Sequence, residues 1–259
     1  MQQNQPIRML TSTLKLFLLM FVFSSNAKSE HQSNSGDSEF SIGLALFTQD
    51  TAHIGVGSET HLVPFLSYQG EKFETNFNSM TYSLFNTNNF EITLEGELRF
   101  DGYDADDSSQ LFGMEDRDMA LDSGFGISHQ SNIGQFKIQA ITDISNKHNG
   151  YELRTSYEKP MKINNWTIVP SVSVGLLSDS IVDYYYGVES SEVTEERPAF
   201  EGKSALVVSG SIFAGYHLSD HHQLIFGASY TNLNSDITLS PIVERGNQSN
   251  YFTGWVYTF

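Results

Sequence analysis

The chain has 259 residues, no cysteine and a formal net charge of −17, with 39% hydrophobic and 13% aromatic residues. That acidity leaves no basic stripe to neutralise phosphates, which argues against a nucleic-acid partner, and the aromatic content argues against an acidic disordered chain. Without cysteine there are no disulfides, no thiolate metal site and no lipidated N-terminal cysteine, so a secreted form must be held by something else, such as a closed hydrogen-bonded sheet.

Residues 1–27 read as an address. Arg8 and Lys15 form a positive region, Leu16 to Phe23 a short apolar core, and Ser25-Asn26-Ala27 a small-residue site. This is the layout of a secretory signal peptide cleaved after Ala27. The apolar run is about half of the roughly 20 residues that a spanning helix needs. Residues 28–38 are polar and are expected to form a flexible lead, and 39–259 a single domain.

From residue 39 onward the dominant pattern is period-2 alternation in segments of about ten residues separated by turn residues. Phe90 to Asp101 is the cleanest: Phe90, Ile92, Leu94, Gly96, Leu98 and Phe100 share one face, and Glu91, Thr93, Glu95, Glu97, Arg99 and Asp101 share the other. Gln135 to Ile144, Tyr151 to Tyr157, Trp166 to Leu176, Leu206 to Leu218 and His222 to Tyr230 follow the same template. No helical pattern lies between them to cover the apolar faces. The expected fold is all-β, a closed antiparallel transmembrane β-barrel, because only a closed sheet or a helix pairs every backbone group inside lipid. About twelve strands are expected, within a range of ten to fourteen, at 39–48, 61–70, 72–86, 89–101, 118–130, 133–145, 149–159, 164–177, 180–188, 204–218, 221–232 and 249–259. On this count the long acidic segment 102–117 falls at the periplasmic end and the short turn at Ser131-Asn132 outside, against the usual sidedness. Either one strand is misdrawn near 72–89 or the loops are unusual.

Aromatics gather near strand ends, as in the girdles of such barrels. The chain ends on Tyr251, Thr253, Trp255, Tyr257 and Phe259, an alternating strand closed by phenylalanine. This looks like the signal read by the barrel-assembly machinery, so these five residues are the expected assembly signal.

Several segments, in matching order, resemble the MltA-interacting protein (MipA/OmpV) family. They are Ser41-Ile42-Gly43-Leu44-Ala45, His61 to Gly70 (HLVPFLSYQG), Tyr184-Tyr185-Tyr186-Gly187-Val188, Tyr216 to His221 (YHLSDH) and Ser240 to Gly246 (SPIVERG). The last, followed by an aromatic-ending strand, is the most specific. His222 stands where the family usually has tryptophan, and the first loop lacks a tyrosine-glutamate-glycine element. The resemblance implies the outer membrane of a Gram-negative bacterium, contact with its lipid and lipopolysaccharide, and a scaffold role linking a murein hydrolase to a peptidoglycan synthase.

Chemistry has two weaker candidates. His217, His221 and His222 lie close to Asp220, but Ser219-Asp220 reads as a turn, which would separate them. The run Asp101, Asp104, Asp106, Asp107, Glu115, Asp116 and Asp118 suits divalent cations by residue type, but lacks the ligand order of a calcium loop and reads as a solvated acidic loop. The inward charges Glu91, Glu95, Glu97, Arg99, Arg154 and Glu158 suggest an internal ion-pair network. No catalytic, metal or cofactor site is expected. The expected function is a non-enzymatic scaffold for envelope and peptidoglycan maintenance. A narrow porin used in osmotic adaptation is the second reading, and a hydrolase the third, to be revived only by Ser, His and Asp converging in space.

Overall fold

A computed structural model describes residues 38–76 and 78–259. The leader over 1–27 and all but the last residue of the 28–38 lead lie outside the described residues. The strands run in chain order as β1 (Glu39–Asp50), β2 (Ser58–Gln69), β3 (Phe73–Thr75), β4 (Ser79–Asn86), β5 (Phe90–Arg99), β6 (Ala120–Ser131), β7 (Gly134–Asp143), β8 (Tyr151–Glu158), β9 (Met161–Ile163), β10 (Trp166–Leu177), β11 (Ala205–His217), β12 (His222–Leu233) and β13 (Asn247–Thr258). Each pairs antiparallel with its neighbour, β10 meets β11, and β13 meets β1 over Ser41↔Thr258 to Asp50↔Ser249. β8 and β9 are one stave, since Ser171↔Glu158 and Ile168↔Met161 keep a single register along β10. The break between them falls at Pro160, and Pro170 lies in the facing stretch of β10; proline has no N–H for the ladder. The result is a closed barrel of twelve staves.

The count agrees with expectation, but two strands were misdrawn. The segment 72–86 is two strands, because the Asn76 side chain accepts from the Asn78 and Ser79 amides and the Ser79 hydroxyl, folding the chain into a tight turn. The segment 180–188 is mostly a helix, α1 (Asp179–Tyr186). Its buried residues are Ile181, Val182, Tyr185 and Tyr186, a spacing of one, three and one that lines up on a helix face and not on a strand face. One strand gained and one lost restore both the number and the sidedness. The turns at 70–72, 87–89, 132–133, 164–165 and 218–221 lie at one end, and the loops 51–57, 100–119, 144–150, 178–204 and 234–246 at the other. By the rule of short periplasmic turns and long outer loops, 102–117 lies outside.

The alternation places apolar residues outward. Leu94 is 41% exposed while Glu95 beside it is 5% exposed, and Thr93, Glu97 and Arg99 are buried with it. Exposed leucines over buried charges invert the arrangement of a soluble sandwich and match a barrel with a lipid-facing wall. At the periplasmic rim the expected aromatics form a belt. Phe40 stacks on Phe259, Tyr68 packs on Phe73, Phe90 on His129, Phe136 on Tyr157, Trp166 on Tyr216, and Tyr257 on Phe259, with ring centroids 4.5 to 6.1 Å apart.

One joint is short. β2 meets β3 only at Tyr68↔Thr75 and Gln69↔Glu74. Residues 58–67 of β2 have no ladder partner on that side among the described residues. Pro64, which has no N–H to offer, sits in this stretch, as edge strands permit. Ala45, Phe47 and Val63 are buried there, with Phe100 and Phe252 packed against them.

Candidate functional site

The wall from β5 to β8 carries charges inward at heights set by the register, and these meet one another along that wall. The Arg99 guanidinium donates to Asp122 from Nε at 2.9 Å, to Glu152 from Nη2 at 2.6 Å, and to Asp101 from Nη1 at 3.3 Å. Arg154 donates to Glu152 at 2.7 Å and to Glu97 at 3.1 and 3.2 Å. Lys137 Nζ lies 2.9 Å from Glu95. Gly126 makes room for that pair, because a Cβ there would lie 2.5 Å from Glu95 Oε1. Such charges are tolerated in a low-dielectric interior only while partnered. Of the expected network, Glu97, Arg99 and Arg154 come together as anticipated. Glu95 pairs with Lys137 and not with an arginine.

Sequence reading missed Asp122, Glu152 and His148. Glu152 and Asp122 had the right period, but which charges meet across a closed sheet depends on stagger. His148 is in a loop. Its Nδ1 accepts from the Gly150 amide at 3.0 Å, so Nε2 carries the proton and donates to Asp122 at 2.9 Å. Asp122, Asp143 and His148 are close enough to share a cation. The donor set does not suit one: Asp122 is committed to Arg99 and His148, and Asp143 accepts the amides of Ser145, Lys147 and Asn149. Nor does His148 serve as a base for a serine, since its free lone pair is taken.

Above the network the outer loops interlock into a lid. α1 buries Ile181, Val182, Tyr185 and Tyr186 with Ala52, Leu177, Ala205, Leu233 and Ile237. A second cluster joins Val56, Tyr103, Leu111, Met114, Val188 and Ile242 from four loops. Arg117 Nη2 donates to both oxygens of Glu192, at 2.9 and 3.0 Å, and its Nε donates to the Tyr184 carbonyl. Arg197 donates to the carbonyls of Gln110 and Glu192. His53 donates from Nε2 to the Tyr185 carbonyl at 3.1 Å, and the Thr51 hydroxyl donates to its Nδ1 at 3.0 Å. Burial holds the His53 pKa below the usual histidine range, and pushes the Tyr185 and Tyr186 phenols well above theirs. The Tyr184-to-Val188 and Ser240-to-Gly246 segments dock on each other here, with the Ser240 hydroxyl donating to the Tyr186 carbonyl at 2.6 Å.

Much of the acidic run is engaged in bonds within the fold. Asp107 accepts from the Asp104 amide, Asp116 from the Ala105 amide, Asp118 pairs with Lys147 and Asp101 with Arg99. The histidine group is divided as the turn reading expects: His217 ends β11, His222 opens β12 and stacks on Trp255, and His221 bonds the Thr258 carbonyl. Tyr251, Thr253, Trp255 and Phe259 point outward, and Tyr257 is half-buried against His221, His222 and Phe259.

Below the network lies a small polar cavity of ≈ 50 Å³, open to solvent, walled by β3 to β7 from the Glu71-Lys72 turn at the periplasmic end up to Glu97.

A model of the family described as MltA-interacting protein MipA matches residues 42–259. A putative outer membrane protein of Escherichia coli K12, YiaT, is 27% identical over 94% of this chain and 96% of its own. The outer membrane protein OmpV of Vibrio cholerae is 27% identical over 70% of this chain and 71% of its own. The MltA-interacting protein of Escherichia coli K12 is 23% identical over 95% of this chain and 99% of its own.

Proposed function

The chain belongs to the MltA-interacting protein family and is an outer-membrane β-barrel, and on that premise we propose that it is a non-enzymatic scaffold. It works from its periplasmic face in envelope and peptidoglycan maintenance. The observation that carries this reading is the lid. Four outer loops share one apolar core above the inward ion pairs of Arg99 and Arg154 on the β5–β8 wall, which supports a barrel closed to passage from outside. What faces the periplasm is an open polar cavity inside a rim of aromatic rings. A relative is named for interaction with MltA, and the partner inferred here is a murein hydrolase, joined through the barrel to a peptidoglycan synthase. The barrel sits among outer-membrane lipid and lipopolysaccharide after delivery by the barrel-assembly machinery.

The acidic cavity favours one other reading, a narrow cation-preferring porin. Two measurements on the full protein separate them. Cross-linking in intact cells should capture a murein hydrolase, and planar bilayers should show no steady single-channel conductance. Stable cation-selective channels without hydrolase capture would overturn the scaffold reading.

A further inference from the structure

We propose that the periplasmic cavity is a binding site for a small organic cation bearing primary ammonium groups, a property separate from the scaffold role. Its wall holds Glu71, Glu74, Glu91, Glu95 and Glu97 against Lys72 and Lys137. Among the described residues, contact ion pairs use Glu95 and Glu97, with Lys137 and Arg154, and involve none of Glu71, Glu74 and Glu91. Glu74 lies within electrostatic reach of Glu91, Lys137 and Glu95 and shares a hydrogen bond with Gln69, so five carboxylates face two ammonium groups along this wall.

Acidic residues alone would only mark a solvated wall. The second observation is the pair of amides above and beside them. Gln135 is 3% exposed and Gln139 2% exposed, both line the cavity, and neither Oε1 has a hydrogen-bond donor. The Gln139 amide nitrogen is spent on Glu95 at 3.2 Å, which fixes its oxygen as an unused acceptor. A buried acceptor without a donor is costly. The cavity thus combines excess negative charge with buried acceptors, and its cationic side chains are at the edge or already paired. The complementary ligand carries positive charge and N–H donors together. A primary ammonium has three donors on a compact charge, and an alkyl chain with two or three such groups would span from Gln139 to Glu91 and Glu74.

The probe is spermidine, titrated calorimetrically into the refolded full barrel in detergent at low salt, with tetramethylammonium, Mg²⁺ and Na⁺ as comparisons. Saturable binding of spermidine is expected, with tetramethylammonium weaker because it carries no N–H, and Mg²⁺ weaker because the amides are spaced for a longer ligand. Glu74→Gln and Glu91→Gln should each weaken binding about tenfold, the scale of one charge-assisted hydrogen bond, and Gln139→Leu should weaken it with no change in net charge. Heat-modifiable mobility checks that each variant is folded. If Glu74→Gln does not fold, Glu91→Gln and Gln139→Leu decide. Equal binding of tetramethylammonium, tighter binding of Mg²⁺, or spermidine binding indifferent to the folded variants would overturn the proposal. Hydrolase capture is read separately, so loss of either result leaves the other interpretable.

Discussion

At the scale of single residues, the neighbours Leu94 and Glu95 carry the membrane argument. Leu94→Arg places a charge on the lipid face, which costs about 2–4 kcal/mol near the midplane, so insertion should fail or the folded fraction should fall. Glu95→Gln adds no charge to the lipid face, so insertion should persist, while the buried Lys137 loses its carboxylate and the folded barrel should be less stable. A lipid-attached nitroxide should quench a fluorophore at 94 strongly and one at 95 weakly; equal weak quenching would contradict a lipid-facing wall. Arg99 offers a different test. Arg99→Met leaves Asp122 and Glu152 in the interior with fewer cations, and breaking such a buried pair costs about 3–5 kcal/mol, readable as a lower urea midpoint in lipid vesicles. His53 gives a pH dependence. Burial depresses its folded pKa, so the folded state binds fewer protons than the unfolded one below the ordinary value of 6.5. Stability from the neutral His53 is therefore present above that value and lost as pH falls through it toward the folded pKa. The lid should become more open to protease at pH 5 than at 7.5. A His53→Gln variant should show less of that difference.

These residues also show what a linear chain conceals. Which face a residue occupies follows from period 2, and for Phe90 to Arg99 the faces were legible. Which residues of nearby staves it meets depends on the stagger of the sheet. Lys137 for Glu95, and Asp122 with Glu152 for Arg99, had no local signal. His148 and His53 were still less visible, since loops carry no period.

At the scale of elements, the same contrast separates β13 from α1. The alternation of Tyr251, Thr253, Trp255, Tyr257 and Phe259 was legible, and the strand closes the barrel on β1. We propose that it is also the assembly signal. Deleting Phe259 should cut the heat-modifiable, membrane-embedded fraction while leaving synthesis unchanged; normal surface levels in the deletion would refute this. The helix was misread because Tyr184-Tyr185-Tyr186 has strong strand preference. What overrode it was a sealed pocket over the barrel, where a helix face buries Ile181, Val182, Tyr185 and Tyr186 together. The 72–86 segment failed for another reason: Asn76 turns the chain through its side chain, and two asparagines around Phe77 were the available sign.

At the scale of the molecule, the corrected strand list puts every loop longer than five residues at one end, so lid and cavity face different compartments. The mature protein should begin at Lys28, which N-terminal sequencing from the outer-membrane fraction would check; recovery of Met1 would refute the leader. The short β2–β3 joint gives the wall an uneven clock. Most other strands are flanked along their length by two ladders, except that β4 meets β3 only at Met80, Thr81 and Tyr82. Along 58–67 half of the N–H groups point at β1 and the rest point at no strand among the described residues. Deuterium should therefore enter β2 in a two-beat rhythm, with fast amides alternating with slow ones and a silent beat at Pro64. That rhythm would mark the joint of β2, β3 and β4 as the place where the barrel should first loosen.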